Sequence, residues 1–404
     1  MRVLEFLANF FVNVGAWLTT VLAGWGLSPL WVSIITRTLG GLVLAAVPLF
    51  AVVFLIWEAR KVMARMQDRL GPNNSGTYAG PYALLQTVAD AIKIFTKELI
   101  IPEGADRIVF IVAPIMVVTV AILAWAVIPL GPQGMQGVDL DVGVFYVIAV
   151  SSLTPFSMIM AGWSSRNKYA DLGAFRAVSQ IISYEVPQAL ALMVPVMLTG
   201  SLSLQALIKA QDVPNIIALP IPALVYFLAV TAEIGRLPFE LAEADSEIVA
   251  GYFTEYSGMM FGAFYLAEFI NNFTAALMFS VLFLGGWRGP WVETVPVLGT
   301  LWFLLKGFLV FNVFILFWAG MPRLRIDQVL AFNWKFLVPL GLVTLIVIAI
   351  VNKLIVLAGV TSTWGRAGWL LLTNVLIGLA TMGVLSLVGK QARSRQTVRR
   401  AAAR

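Results

Sequence analysis

The sequence predicts an all-α integral membrane protein, and three observations predict it: 60% of its 404 residues are hydrophobic, only 12% are charged, and long apolar runs recur from near the start almost to the end. Ordinary soluble domains carry roughly a quarter charged residues, and a water-soluble fold cannot hide so large an apolar fraction. The 13 Trp and 26 Phe add aromatic weight of the kind that gathers at membrane interfaces. One membrane domain is expected, with no soluble domain.

A transmembrane helix needs about 20 mostly apolar residues. Stretches of that kind fall near 38–57, 108–130, 142–162, 176–199, 215–235, 259–284, 299–321, 336–358 and 367–389. The first eight form a core, and the ninth is a probable addition. The chain thus divides into an N-terminal apolar or interfacial segment (1–37), a membrane domain (38–358), and an extra helix with a basic tail (359–404). Near the start, Phe6, Leu7, Phe10 and Phe11 suit either an interfacial or a full helix. No cleavable signal is expected, because Glu5 comes early and no basic run precedes a small-residue cleavage site.

Positive residues stay on the cytoplasmic side of a membrane. Segment 58–107 holds Arg60, Lys61, Arg65, Arg69, Lys93, Lys97 and Arg107, whereas 131–141 holds no Lys or Arg. Arg166, Lys168 and Arg176, then Arg236, then Arg323, Arg325 and Lys335 continue the alternation, against Lys209, Arg288 and Arg366 on the other side. The pattern predicts an N-terminus outside and a cytoplasmic tail carrying Lys390, Arg393, Arg395, Arg399, Arg400 and Arg404. The net charge of +6 is therefore read as membrane-surface charge, with no nucleic-acid partner.

Cys and His are both absent. Their absence removes the side chains that iron–sulfur clusters, haem, copper and most zinc sites use, along with Ser/His and Cys/His nucleophiles. An enzymatic role would have to use protons or an organic carrier, with redox centres on other chains.

The first long connection contains Gly71-Pro72-Asn73-Asn74-Ser75-Gly76 and then places Leu84, Leu85, Val88, Ile92 and Phe95 at helical spacing, with Asp90, Lys93 and Lys97 elsewhere. Such a helix either lies in the membrane interface or packs as a surface helix on a partner.

Charges inside apolar spans cost several kcal/mol and are functional candidates by default. Glu185, Glu233, Glu268 and Lys306 stand out. The bland alternative is a structural Glu paired with Lys306 or hydrogen-bonded between helices. A denser signal follows: Glu233, Glu240, Glu243, Asp245, Glu247 and Glu255 fall within 23 residues, with Arg236 the one nearby cation. If Pro238 opens a helix, Glu240, Glu243 and Glu247 share a face. Like charges held out of water cannot all ionise, so some should take up protons near neutral pH, as a proton relay requires. A solvated acidic loop is the competing reading.

Several motifs carry a family resemblance: Glu58-Ala59-Arg60-Lys61-Val62, Gln67-Asp68-Arg69-Leu70-Gly71-Pro72-Asn73, Ala89-Asp90-Ala91-Ile92-Lys93, Ser183-Tyr184-Glu185, Arg236-Leu237-Pro238-Phe239-Glu240, Glu255-Tyr256-Ser257-Gly258, and Pro322-Arg323-Leu324-Arg325-Ile326-Asp327-Gln328. Over roughly residues 40–345 the chain resembles the quinone-site membrane subunit of NADH:quinone oxidoreductase, respiratory complex I. The resemblance implies eight core spans, a quinone (ubiquinone or menaquinone) as substrate, and FMN and iron–sulfur clusters held by partner subunits. It also implies membrane and peripheral-arm subunits as partners and a location in a prokaryotic inner (plasma) membrane.

Carried over by resemblance, the quinone chamber falls to Arg60, Lys61, Gln67, Arg69, Gly71, Pro72, Lys97, Glu98, Arg236 and Phe239. The proton path falls to Glu185, Glu240, Glu243, Asp245, Glu247, Glu255 and Glu268. Three positions depart from the family pattern. Ala59 stands where an acid usually precedes Arg-Lys, with Glu58 one residue back; Asn74 replaces a frequent Arg; and Glu240 replaces Asp. Two other functions stay open on the sequence: a cation/proton antiporter, and the equivalent subunit of a related complex with a donor other than NADH.

Overall fold

The structure is a computed structural model that describes residues 10–73, 81–132, 137–242, 248–360 and 362–402. Among the described residues the regular structure is all helical, with no strand. Helix α1 (Phe10–Gly24) turns at Gly26 into α2 (Pro29–Met66), and the amphipathic α3 (Gln86–Thr96) follows. Then come α4 (Arg107–Leu123), the two halves α5 (Gly143–Ser151) and α6 (Thr154–Ser164), and α7 (Lys168–Thr199). Short α8 (Leu204–Lys209) and α9 (Asn215–Ala218) lead into α10 (Pro220–Glu233). The remainder is α11 (Gly258–Phe283), α12 (Val297–Gly320), α13 (Ile326–Phe332) running through a π turn into α14 (Val338–Leu357), and α15 (Thr363–Ala402).

Eight of the described stretches are long and apolar enough to cross a membrane, and each overlaps a run expected from hydropathy. The remaining run, 215–235, is not one helix. It is α9 and α10, separated where Leu219 leaves the helical region at φ −129°, ψ 55°. Helix α11 sits at the centre: 78% of its most apolar window is buried, against 11% for α15 at the rim. Around α11 pack α2, α4 and α12, while α7 holds α6, α10 and α14 in a second layer.

Two prolines shape these layers. Pro114 in α4 and Pro187 in α7 each lack the amide hydrogen that would bond the carbonyl four residues earlier. Side chains from other elements supply the missing donors. Tyr256 Oη donates to the Phe110 carbonyl at 3.1 Å, and Asn333 Nδ2 donates to the Ser183 carbonyl at 2.6 Å. A span interior offers no water to do this, and at these two prolines the protein itself supplies the donor.

Glycine permits one close approach that positions the site. A Cβ on Gly173 would stand 2.6 Å from the Gly251 Cα, so only a bare backbone lets the 248–257 segment lie against α7. Gly251 itself has φ +64°, the left-handed region that glycine enters without strain.

Candidate functional site

The segment after α10 does not begin a helix at Pro238, contrary to the reading that put Glu240, Glu243 and Glu247 on one helical face. Residues 234–242 form a turn instead. Its shape is imposed from outside. Gln180 of α7 donates Nε2 to both the Ala232 and Phe239 carbonyls, at 2.6 and 2.7 Å, and the Leu324 amide donates to the Pro238 carbonyl at 3.0 Å. Phe239 is thereby buried between Tyr184 and Phe332. Its ring belongs to the main apolar cluster.

Arg236, at the start of this turn, points into the protein. Its guanidinium lies 3.9 Å from the Trp318 ring centre and 5.0 Å from that of Phe269, and Nη1 meets Glu268 Oε1 at 3.1 Å. Nε and Nη2 have no partner among the described residues. The one acid of the turn is held by a different cation, since Glu240 pairs with Arg323 at 3.1 Å. Arg323 was legible as a motif residue but not as a site residue, because 83 positions separate it from Glu240.

Two cavities lie beside these groups. The first, of about 80 Å³, is lined by Ser151, Thr154, Gln188, Tyr226, Glu233 and Asn271 among others. The second, of about 60 Å³, reaches Gln180, Tyr252, Glu268 and Ala242. Thr154, Ile181, Glu233, Ile234 and Asn271 line both, so Glu233 stands at the wall between them. One water needs roughly 10–15 Å³ measured this way, so each space accommodates several. Gln188 and Ser151 reach the Glu233 carboxyl as hydrogen-bond partners, and Glu185 acts on it electrostatically. Glu185 Oε1 is buried with no partner among the described residues.

The structure therefore brings together Glu185, Glu233, Glu268, Arg236 and Glu240. Glu233 was visible as an intramembrane acid but not assigned to the proton path, although among the residues lining both cavities it is the one carboxylate. Gln188 and Asn271 were missed. Each lies three residues after an acid, Glu185 and Glu268, and so shares its helical face; that spacing was the available signal. Glu243, Asp245 and Glu247 lie outside the described residues, and Ala242, which precedes them, lines the second cavity.

Glu255 stands apart and accepts from Asn167 Nδ2 at 2.7 Å, which ties the loop to the start of α7. The adjacent Tyr256 hydroxyl also meets Ser164 Oγ at 3.4 Å, and its ring stacks on Phe110 with centres 4.0 Å apart. Burial pushes this hydroxyl up to about 12, so it is a neutral donor.

Residues of the first connection gather at the C-terminal end of α2. Arg60 pairs with Asp90 of α3 at 2.6 Å, and Lys61 lies 5.9 Å from the ring centres of Trp57 and Tyr82. Arg69 Nε bonds Gln67 Oε1 at 2.8 Å, and both are exposed. Gly71 folds back on α2, where a Cβ would stand 3.2 Å from Ala64 Cβ; Pro72 follows. The Lys97 and Glu98 side chains are exposed, while the Glu98 carbonyl accepts from Ser257 Oγ at 3.3 Å. These groups adjoin the Glu255–Gly258 loop through Ser257, whose Oγ accepts from the Ile100 amide at 3.1 Å. Glu58 does not replace the missing acid at 59. It is buried toward α12, where Asn312 Nδ2 donates to its Oε1 at 2.6 Å.

Comparison with known proteins agrees with this architecture. The family model described as NADH dehydrogenase matches residues 39–349. The H subunit of the NADH-quinone oxidoreductase of Dehalococcoides mccartyi is 49% identical over 299 residues, covering 74% of this chain and 82% of that protein. The corresponding H subunits of Carboxydothermus hydrogenoformans and Anoxybacillus flavithermus are 41% and 44% identical over 341 and 329 residues, covering 84% and 81% of this chain and 95% and 97% of theirs. With a matched segment of that length and relatives aligned over nearly their whole sequences, the chain belongs to the NADH dehydrogenase family of membrane subunits typified by the NADH-quinone oxidoreductase H subunit.

Proposed function

We propose that this chain is the membrane subunit of a proton-pumping NADH:quinone oxidoreductase, that it helps form the quinone chamber, and that its buried carboxylates couple quinone reduction to proton translocation. The observation that carries the reading is the pair of cavities sharing the Glu233 wall, with Glu268 on one side and Ser151, Gln188 and Tyr226 on the other. Protonatable groups separated by water-sized polar spaces at membrane depth are what proton transfer needs, and they are costly to keep for any other purpose.

Quinone is the substrate, and electrons reach it through flavin and iron–sulfur clusters on partner subunits, since this chain has neither Cys nor His to hold a cluster. Arg60, Lys61 with the Trp57 and Tyr82 rings beside it, and the adjoining Glu255–Gly258 loop lie at one end of the bundle, a surface that a peripheral subunit would close into a chamber. Negative charge arising there during reduction alters the proton affinity of Glu240 and the neighbouring acids. Arg236, held between Glu268 and two rings, is the fixed positive charge against which that change is felt. Glu268, Glu233 and Glu185 then exchange protons in sequence along the two cavities. The Lys and Arg distribution supports an N-terminus outside and a basic tail inside, and the family similarity suggests a prokaryotic inner membrane.

The test is Glu233→Gln in the assembled complex within sealed inverted membrane vesicles, with NADH:quinone turnover and proton uptake measured together. Gln keeps the shape and the Gln188 and Ser151 contacts but cannot titrate. Proton uptake is expected to fall by about tenfold or more, as loss of a positioned proton-transfer group does elsewhere. Unchanged turnover and unchanged uptake would remove the basis of the reading.

A further inference from the structure

A third proline repeats the pattern seen in α4 and α7, but its donor comes from a different place. Pro222 leaves the Ala218 carbonyl without its helical partner, at the point where Leu219 departs from the helix. Helix α10 has 14 residues and rises only about 21 Å, short of the roughly 30 Å of a bilayer's hydrocarbon. The break between α9 and α10 therefore falls at membrane depth, where lipid cannot satisfy a carbonyl. Asn374 of α15 fills the gap. Its Nδ2 donates to the Ala218 carbonyl at 3.1 Å and to the Leu370 carbonyl of its own helix at 2.9 Å.

The surroundings make this a built contact. Asn374 is 1% exposed, and Leu219, Ala218, Leu370 and Ala367 are buried in one cluster with Ile348 and Ile355 of α14. Gly378 brings α15 close to Ile221, whose Cδ1 would lie 3.7 Å from a Cβ placed there. On the opposite side Asn215 Nδ2 donates to the Leu282 carbonyl at 2.8 Å, so the break is gripped from α11 and α15 together. Tyr256 and Asn333, donors to the other two freed carbonyls, lie inside the family match of 39–349, whereas Asn374 lies outside it.

We propose that α15 is a cover, carried by the chain itself, for the break in the fifth span, and that Asn374 is a positioning residue that holds α9 and α10 in line so that Glu233, at the far end of α10, stays on the wall between the two cavities. Unlike its rim-facing surface, where Leu372, Leu376 and Leu379 are exposed, the face of α15 bearing Asn374 is buried against the α9–α10 break. The proposal rests on the assignment of Glu233 to proton transfer.

The experiment compares Asn374→Leu, Asn374→Gln, removal of residues 362–404, Leu376→Ala and Glu233→Gln in the whole complex. Protons taken up per quinone reduced and the quinone KM are measured in sealed vesicles. Asn374→Leu conserves bulk but lacks the donor; it is expected to cut proton uptake per turnover to about half or less while KM stays put, an effect on the scale of one buried hydrogen bond. Asn374→Gln should restore part of it, removal of 362–404 should match or exceed it, and Leu376→Ala should do nothing. Where the truncated chain does not assemble, the Leu and Gln variants decide. Wild-type coupling in Asn374→Leu, or an equal loss in the Leu and Gln variants, overturns the proposal; if Glu233→Gln still uncouples, the proton-path reading survives. If Glu233→Gln is also silent, that reading is what has failed.

Discussion

Two cations, the buried Arg236 and the half-buried Lys306, are treated in opposite ways. Lys306 of α12 has every ammonium hydrogen bonded: it donates to the carbonyls of Leu284, Gly286 and Arg288 at 2.8, 3.0 and 2.7 Å, closing the loop after α11. Arg236 is held by one carboxylate and two aromatic faces, and leaves two nitrogens without a partner among the described residues. A buried polar group that is fully satisfied has one best arrangement and serves as a fastening. One left partly unsatisfied beside a cavity can be satisfied in more than one way, which is what a group that responds to charge or protons requires. The difference separates the loop end of the bundle, built to stay, from the α7–α10–α11 region, built to switch.

The largest expected effect comes from breaking the Arg236 pair. Arg236→Met leaves Glu268 without its counter-charge and removes a cation stacked on Trp318, a loss on the order of 3–5 kcal/mol for buried pairs of this kind. Turnover and assembled complex should both drop sharply. Glu268→Gln alone should keep the assembly, and the double variant Arg236→Met with Glu268→Gln should recover part of it, because the uncompensated charge is gone. A double variant no better than Arg236→Met would mean that the pair is not coupled. Lys306→Met should act next most strongly and differently. Each charged hydrogen bond to a carbonyl is worth roughly 1.5–3 kcal/mol, so thermal stability should fall while the protons moved per surviving turnover stay constant. A changed proton yield with unchanged stability would erase the distinction between the two cations.

Much of the fold was legible from hydropathy alone, since each apolar run overlies described helix and α3 falls where Leu84 to Phe95 placed it. The break at Leu219 was not read, although Pro220 and Pro222 stood in plain view inside the 215–235 run. Proline marks where a carbonyl is freed but not which distant side chain answers it, and Tyr256, Asn333 and Asn374 are 146, 150 and 156 residues from their acceptors. The candidate site divides in the same way. Glu185, Glu233 and Glu268 announced themselves because a carboxylate in an apolar run has no local explanation. Gln180, Gln188 and Asn271 did not, because a neutral amide in a span reads as ordinary helix–helix packing until its partners are known. The helix expected from Pro238 failed for a related reason: local signals favoured it, and the clamp on both ends of the turn comes from α7.

That clamp gives the next test. Gln180→Leu removes the donor shared by the Ala232 and Phe239 carbonyls. The Phe239 carbonyl is left buried and unpaired, at a cost of about 1–3 kcal/mol, while the Ala232 carbonyl keeps only the Gly235 amide at 3.2 Å, so the turn should loosen and shift Arg236. Turnover should fall less than in Arg236→Met, and Gln180→Glu should not rescue it, since a carboxylate cannot donate. Rescue by Glu would place the importance of residue 180 in its charge.

The smallest effect belongs to Tyr256, which lies with the fastenings. Tyr256→Phe keeps the stack on Phe110 but leaves the Phe110 carbonyl, freed by Pro114, without its donor, for a loss of about 1 kcal/mol. Its pH dependence has a definite sign. Burial raises the hydroxyl from 10.0 to about 12, so the folded protein holds this proton more tightly than the unfolded chain. The contribution is complete below 10 and drains away as pH climbs toward 12. Stability of the wild type should therefore fall more steeply over that alkaline interval than that of Tyr256→Phe, and the two curves should run parallel at neutral pH. Alkaline melts that stay parallel throughout would show that the hydroxyl is not buried as described; a neutral-pH change in proton yield would move Tyr256 from the fastenings to the switching region.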